Sequence, residues 1–423
     1  MFKPARILQA TSIFLLLAGC GTTQTIALSQ EQVQKSSPNT TAAAAVPVVP
    51  PAASVIAAPS ESITAGTSLP GTLAFLQPNG ELTPNLQAYA AEVAKRRNVP
   101  QQHVDRLLKS AQYDATAARL MAPAGTRVRR SWVTYRNRVV EPARINAGVQ
   151  FWSEHESTLA ATERAYGVPA SVIVAIIGVE TVYGRNTGNF RVLDALATLG
   201  FRYPDSSRPE RSQLFRDQLA DLIQLDHEKK LNALEVQGSF AGAMGLPQFM
   251  PGSLMRYAVD GDNDGRIDLL YSVDDAIVSV ANFLRQHGWQ PGLPVFAPLM
   301  LPSNPQPLVA GGLHPTYDWN QLHAQGAKVR PAAGNRTGAV SAQEPVDNAA
   351  VTPQNWMAHK LGVIDLVDEP RKSAEYRTGT PNFFAITQYN RSYFYATSVA
   401  DLAQAIADQM GRDGPNLVRA QLP

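Results

Sequence analysis

Hydrophobic positions divide the chain into three parts with different patterns. Residues 7–17 form one short apolar run, and residues 20–72 are rich in Ala, Pro, Ser and Thr without any helical or strand period. From residue 73 onward, apolar positions recur at the i, i+3, i+4, i+7 spacing of amphipathic helices, as at 192–199 and 398–409. The pattern predicts a mainly α-helical body over residues 73–423, preceded by a flexible linker.

One segment of this body is apolar on every face. Val172–Val179 contains no polar side chain, which predicts a buried helix with Ser171 capping its start. The last turn carries Glu180, where desolvation and the negative end of the helix dipole both raise the pKa of the carboxyl. A carboxyl that keeps its proton suits a general acid for glycosidic bond cleavage. The alternative is a structural glutamate paired with Arg185 or Arg191.

The start of the chain has the order of a secretion signal. Lys3 and Arg6 precede the apolar run, which is too short to span a membrane. The run ends in Leu17-Ala-Gly-Cys20, which resembles the bacterial lipobox, so we expect removal of residues 1–19 and lipid attachment at Cys20. The alternative is an ordinary signal with an incidental cysteine. Gly21 follows Cys20, at a position where an aspartate would indicate retention in the inner membrane of enteric bacteria. The expected location is therefore the periplasmic face of the outer membrane.

Composition excludes several classes of function. One cysteine among 423 residues rules out a disulfide framework or a cysteine-rich metal site. The formal net charge of +2 gives no field that would attract nucleic acid, so no nucleic-acid partner is expected. The arginines within 127–138 are interpreted as a solvated face. Residues 290–353 are rich in Pro and Gly and predict an irregular insertion with a short helix near Trp319 and Leu322.

An acidic loop lies at residues 260–268. Carboxylates occupy loop positions 1, 3, 5 and 9, and glycine occupies position 6, which is the spacing of an EF-hand calcium loop. The four acids are Asp260, Asp262, Asp264 and Asp268. The main-chain carbonyl of Arg266 would be the ligand at position 7. The sequence therefore predicts a calcium loop, and the alternative is an exposed Asp/Gly turn without a cation.

A glycine-rich segment covers residues 238–251. Its glycines permit tight turns, and Gln248 offers both a hydrogen-bond donor and an acceptor. A polar side chain among small residues suits a sugar hydroxyl or acetamide group. The same composition is equally typical of a helix-packing loop.

Four blocks of sequence together resemble the lytic murein transglycosylase B family. The blocks are Gly178–Arg185, Asp194–Leu199, Ala241–Pro251 and Asn382–Ser392. The resemblance implies a lysozyme-like helical catalytic domain with an additional helical region. It also implies cleavage of peptidoglycan between N-acetylmuramic acid and N-acetylglucosamine, leaving 1,6-anhydromuramic acid ends, with Glu180 acting first as acid and then as base. No organic cofactor is implied.

The same resemblance assigns roles to individual residues. Ser239 and Gln248 correspond to binders of substrate near the scissile bond, and Tyr135 to an aromatic wall of the cleft. The residues that would close over the cleft are Tyr389, Asn390 and Tyr395. Arg211 corresponds to a residue that contacts the glycan or its peptide, although this chain has extra residues between Pro204 and Arg211.

The family also has an enlarged EF-hand-like loop that is closed by an aspartate of the following helix. Position 12 of the loop, glutamate in a standard EF-hand, is Tyr271 here. The next acids are Asp274 and Asp275. The sequence Asp275-Ala-Ile matches the family pattern at this aspartate and favours Asp275 over Asp274. The predicted ligands are therefore Asp260, Asp262, Asp264, the Arg266 carbonyl and Asp275, with calcium in a structural role.

Two other functions remain open from the sequence. A lysozyme-type hydrolase would use the same glutamate with water, and a peptidoglycan-binding lipoprotein would catalyse nothing. The expected partners are peptidoglycan glycan strands and, through the lipid, a membrane. We expect a monomer that associates with other cell-wall enzymes.

Overall fold

The computed structural model describes residues 74–123, 127–330 and 355–416. Four predicted features lie outside these residues: the signal over residues 1–19, the lipid attachment site Cys20, the linker over 20–72 and the part of the insertion from 331 to 354.

The described chain is mainly helical. Its α-helices are α1 (Pro84–Arg97), α2 (Gln101–Ser110), α3 (Ala115–Met121), α4 (Trp132–Val139), α5 (Pro142–Glu154), α6 (Glu156–Tyr166), α7 (Ala170–Thr181), α8 (Val192–Phe201), α9 (Pro209–His227), α10 (Pro251–Tyr257), α11 (Val273–Gln286), α12 (Trp319–Ala324), α13 (Pro381–Tyr389) and α14 (Tyr393–Met410). Two 3₁₀ helices cover Gln306–Leu308 and Asn355–Ala358. The helix near Trp319 and the helices at 192–199 and 398–409 are thus confirmed, and the last begins earlier than predicted because Ser392 caps α14.

The strands form three antiparallel pairs among the described residues. They are β1 (Phe190–Arg191) with β2 (Gln237–Gly238), β3 (Leu299–Met300) with β4 (Lys328–Val329), and β5 (Gly362–Asp368) with β6 (Ser373–Gly379). The β5–β6 hairpin pairs Asp365 with Tyr376. This hairpin was not predicted from the sequence.

Helix α7 is the buried helix that the sequence predicted. Eleven of its twelve residues are buried, and α5, α6, α11 and α14 pack around it. The predicted cap is wrong: Pro169 occupies the N-cap, and Ser171 lies inside the helix with its hydroxyl fully buried. Because Pro169 already has extended backbone angles and the helix begins at Ala170, Ser171 is too far along the chain to cap the start.

Three hydrophobic clusters make up the core. The first surrounds α7, and the second joins α1, α2, α8 and α9 into the additional helical region. The third was not anticipated, because the stretch after residue 290 was predicted to be irregular. Its members are Leu293, Ala297, Leu299, Leu308, Leu322, Ala327, Trp356, Leu361 and Val363. Residues 290–330 therefore form a small separate core together with Trp356, Leu361 and Val363.

No single helix of the described chain is long and apolar enough to cross a membrane. Within the described residues, α6 and α7 taken together are as long and apolar as a membrane span, but the two helices are bent by 115° at their junction.

Candidate active site

Glu180 lies in the last turn of α7 with 3% of its surface exposed. The Tyr395 hydroxyl donates a hydrogen bond of 2.6 Å to Glu180 Oε1. Burial raises the pKa of the Glu180 carboxyl to about 8, while the hydrogen bond from Tyr395 opposes that rise. This is the direction predicted from the sequence. Arg191, one of the alternative partners, is bonded to Asp194. Burial of Glu180 therefore favours the protonated form of its carboxyl.

Three tyrosines surround this carboxyl. Burial and, next, the nearby negative charge of Glu180 raise the pKa of Tyr135, Tyr389 and Tyr395. The rings of Tyr389 and Tyr395 stack with centroids 6.4 Å apart and planes at 14°. The Tyr389 hydroxyl donates to the Pro247 carbonyl at 2.5 Å. The structure thus brings α4, α7, α13 and α14 together around one acid.

The glycine-rich segment is fastened to the end of α7. The Thr181 hydroxyl lies 3.0 Å from the Leu246 carbonyl oxygen, to which it donates, and this contact was not predicted. Gln248 is buried with φ of 51°, and its Nε2 donates to the carbonyls of Thr187 and Gly245 at 3.1 and 3.0 Å. Ser239 is also buried, and its Oγ accepts from the Ala243 N–H at 3.0 Å. Both side chains therefore stabilise the conformation of this segment.

The other two predicted site residues differ in their surroundings. Asn390 directly follows Tyr389 at the end of α13 and is half-buried. Arg211 lies in the first turns of α9, where it is hydrogen-bonded to Tyr203 and close to Asp205. None of these described contacts joins Arg211 to the group around Glu180.

The acidic loop brings three carboxylates together. One oxygen each of Asp260, Asp262 and Asp264 lies within 4.8 Å of the others. Asp260 Oδ1 is buried without a hydrogen-bond partner, while its Oδ2 accepts from the Gly265 N–H at 2.9 Å. A buried carboxylate oxygen without a donor fits a hard divalent cation, which takes oxygen ligands.

Asp275 has a different position from these three. It is buried in the first turn of α11, and its two oxygens accept from the backbone N–H groups of Gly261 at 2.7 Å and Asp268 at 2.6 Å. It lies outside the group of three carboxylates. Asp275 therefore holds the beginning and the end of the loop together through these two hydrogen bonds. Its role as a calcium ligand stays a prediction. The Arg266 N–H donates to Asp264 Oδ1 at 2.8 Å, which keeps Arg266 within the loop.

The geometry can be compared with known proteins. Residues 81–404 match the protein family described as the transglycosylase SLT domain. The chain belongs to the SLT transglycosylase family. It is 34% identical over 334 residues to membrane-bound lytic murein transglycosylase B of Escherichia coli strain K12, covering 77% of this chain and 83% of that protein.

Solved structures of SLT transglycosylases resemble the described fold. Soluble lytic transglycosylase SltB1 from Pseudomonas aeruginosa is 37% identical, covers 78% of this chain and 100% of its own, and gives a TM-score of 0.65. The E. coli lytic transglycosylase Slt35 in complex with calcium is 34% identical, with coverage of 78% and 94% and a TM-score of 0.62. SltB3 from P. aeruginosa, in complex with NAG-anhNAM-pentapeptide, is 25% identical, with coverage of 79% and 81% and a TM-score of 0.59.

Proposed function

We propose that this protein is a lytic transglycosylase that cleaves the β-1,4 bond between N-acetylmuramic acid and N-acetylglucosamine in peptidoglycan and leaves 1,6-anhydromuramic acid ends. The observation that carries the proposal is the Glu180 carboxyl, buried at the end of α7 with a pKa of about 8. Such a group is protonated at neutral pH and can act as a general acid. Membership of the SLT family supports the same reaction.

The proposed mechanism uses Glu180 twice. Its carboxyl donates a proton to the departing oxygen of N-acetylglucosamine as the bond from that oxygen to C1 breaks. The acetamido group of the muramic acid stabilises the positive charge at C1. The ionised Glu180 then accepts the proton of the C6 hydroxyl, whose oxygen forms the new bond to C1. The Tyr395 hydroxyl, which donates to Oε1, stabilises the ionised form between the two steps.

The surrounding residues bind the glycan in this proposal. Tyr135 forms one wall of the cleft, while Tyr389 and Asn390 close over it. Ser239 and Gln248 contact the sugars beside the scissile bond. The support is the common environment of the tyrosines and Glu180, and the complex of SltB3 with a peptidoglycan fragment. Arg211 is proposed as a more distant contact to the glycan or its peptide.

Product analysis tests the proposed reaction. Purified sacculi are incubated with the protein and with Glu180→Gln, and the released fragments are identified by mass spectrometry. We expect anhydromuropeptides from the wild type and none above background from Glu180→Gln, because an amide cannot donate the acid proton. Reducing muramic acid ends would indicate a hydrolase, and the absence of any product a binding protein. Anhydromuropeptide release by Glu180→Gln would refute the role of this residue.

We also propose that the acidic loop binds calcium through Asp260, Asp262, Asp264, the Arg266 carbonyl and Asp275, in a structural role. The buried Oδ1 of Asp260 and the proximity of the three carboxylates support this set. The complex of Slt35 with calcium supports the choice of metal. Bound calcium would neutralise the mutual repulsion of the carboxylates and stabilise the turn between α10 and α11.

We further propose that residues 1–19 are a lipoprotein signal, that Cys20 carries the lipid and that residues 20–72 are a linker. The anchored body would lie at the periplasmic face of the outer membrane. The name of the E. coli relative, which is membrane-bound, supports membrane association.

Cell fractionation tests the anchor. Cys20→Ser should move the protein from the membrane pellet to the soluble fraction, because no acyl chain is then attached. Its activity on isolated sacculi should persist, since Glu180 and the tyrosines do not depend on the tether. Glu180→Gln is the matched control and should stay in the pellet. A Cys20→Ser protein that still pellets after a salt wash would show that Cys20 is not the membrane anchor, or that the chain has a second one.

A further inference from the structure

The turn that follows Glu180 has an unusual backbone. Val182 and Tyr183 both adopt left-handed angles, with φ of 51° and 58°. Such angles are uncommon outside glycine and are a genuine outlier for a β-branched residue such as valine. Residues held in this region persist only where the surrounding structure determines them, and they concentrate at functional sites. The cause must therefore lie in the contacts of this turn.

The turn directs Tyr183 back along α7. Its hydroxyl donates to the Arg144 carbonyl in α5 at 3.0 Å, and its ring centroid lies 5.5 Å from that of Phe151. The side chain passes over two helical glycines. A Cβ atom on Gly148 would lie 2.5 Å from the Tyr183 hydroxyl oxygen, and one on Gly178 would lie 2.5 Å from Cζ of the same ring. Since glycine is unfavourable inside a helix, these two positions form a slot shaped for Tyr183.

Arg144, whose carbonyl accepts the hydrogen bond from Tyr183, also connects α5 to α4 through its side chain. The Arg144 guanidinium is buried and donates to the carbonyls of Arg138 and Val139 at 2.6 and 2.7 Å, at the end of α4. Helix α4 carries Tyr135, whose pKa is raised by burial and, to a smaller extent, by the nearby charge of Glu180. A continuous set of hydrogen bonds thus joins the end of α7, through α5, to the end of α4.

We propose that Tyr183 is a positioning residue for the reaction: seated in the slot of Gly148 and Gly178, it fixes the last turn of α7 against α5 and so sets the direction of Glu180 towards Tyr135 and the substrate. This inference rests on the proposed function. Tyr183 touches neither the substrate nor the transferred proton in this role. It acts by holding the acid within the geometry that proton transfer requires, where a displacement of about 1 Å costs about 100-fold in rate.

The test compares Tyr183→Phe and Gly178→Ala with a matched control. Tyr89→Phe removes a hydroxyl of the same kind, because the buried Tyr89 donates to the Arg216 carbonyl at 2.7 Å in the second cluster. Anhydromuropeptide release from sacculi is measured as kcat, KM and the pH profile of kcat/KM. We expect kcat to fall about 10-fold in Tyr183→Phe and about 100-fold in Gly178→Ala, with KM changed less than about 2-fold. Tyr89→Phe should keep the wild-type kcat.

The pH profile separates positioning from general destabilisation. If Tyr183 keeps the last turn of α7 packed against α5, its loss admits water to Glu180 and lowers the pKa of the carboxyl. The alkaline limb of kcat/KM should then move towards lower pH by about one unit. Tyr89→Phe should lower the unfolding temperature without moving that limb. A wild-type kcat and limb in Tyr183→Phe would overturn the inference, even if Gly178→Ala fails to fold. Absence of anhydro product from the wild type would instead refute the proposed function.

Discussion

The carboxyl at the end of α7 and the carboxylates of the acidic loop occupy opposite environments. Glu180 is 3% exposed, its pKa is raised to about 8, and a tyrosine hydroxyl contacts it. Asp262 and Asp264 are exposed and accept hydrogen bonds from the loop's own backbone, such as those of the Asp264 and Arg266 N–H groups. The first environment favours a bound proton and the second a bound cation.

The difference shows how one functional group serves two purposes in the same chain. Burial of the Glu180 carboxyl favours its neutral form, because desolvation disfavours the charged form. Carboxylates that lie close together repel one another, and a bound metal relieves that repulsion. Burial and neighbours, rather than residue type, thus decide the chemistry, and each environment has a measurable effect on stability.

The largest effect is expected from Glu180→Gln. A carboxyl whose pKa rises from 4.5 to about 8 on folding makes the folded state less stable as pH rises from about 4.5 towards 8. The amide removes this dependence, so the variant should be more stable than the wild type by about 3 kcal/mol at pH 7 and equally stable near pH 4. Urea unfolding at both pH values measures it, with the exposed Glu235→Gln as control. Equal free energies of unfolding for the wild type and Glu180→Gln at pH 7 would show that burial of the Glu180 carboxyl does not destabilise the folded state.

A slightly smaller effect is expected in the acidic loop. Calcium that binds only the folded protein stabilises it by about 2.7 kcal/mol at 100 times the Kd, which raises the unfolding temperature. Asp262→Ala with Asp264→Ala should abolish that rise, whereas the exposed Asp413→Ala should preserve it. Thermal unfolding with calcium and with a chelator measures the difference. If the unfolding temperature of the wild type is the same with calcium and with a chelator, the result would contradict the proposed site.

The smallest effect concerns the contact between Tyr395 and Glu180. The alkaline limb of kcat/KM should lie near pH 8, because Glu180 must be protonated to donate. The Tyr395 hydroxyl stabilises the ionised carboxyl, so Tyr395→Phe should raise the pKa and move the limb upward by about one unit, or about 1.4 kcal/mol. Tyr376→Phe, which loses a hydrogen bond to Gln306, should leave it in place. A downward shift would mean that Tyr395 favours the protonated form.

The helical body could be predicted because burial of one helix face leaves a period in the sequence. That signal identified α8 and α14, and the absence of any polar face identified α7. It failed for the third cluster, whose apolar residues are scattered among prolines and are completed by Trp356 and Leu361 from beyond residue 354. The β5–β6 hairpin left only a short alternating pattern.

The candidate site divides in the same way. Glu180 could be predicted because its apolar neighbours are adjacent in sequence, and so could the direction of its pKa shift. Its contact with Tyr395 follows from no local pattern, and only the resemblance to a family pointed to that residue. Tyr183 was missed because its role depends on left-handed backbone angles and on two glycines in different helices. Glycine inside an apolar helix, as at Gly178, was the available signal.

The contact between Glu180 and Tyr395 joins positions 215 residues apart, and that between Tyr389 and Pro247 spans 142. Contacts of such separation require long stretches of chain to close into loops, which costs conformational entropy. The dry pocket around Glu180 therefore depends on the docking of α13 and α14, whose tyrosines lie far along the chain from this acid, and the burial that raises the pKa of its carboxyl depends on that docking as well.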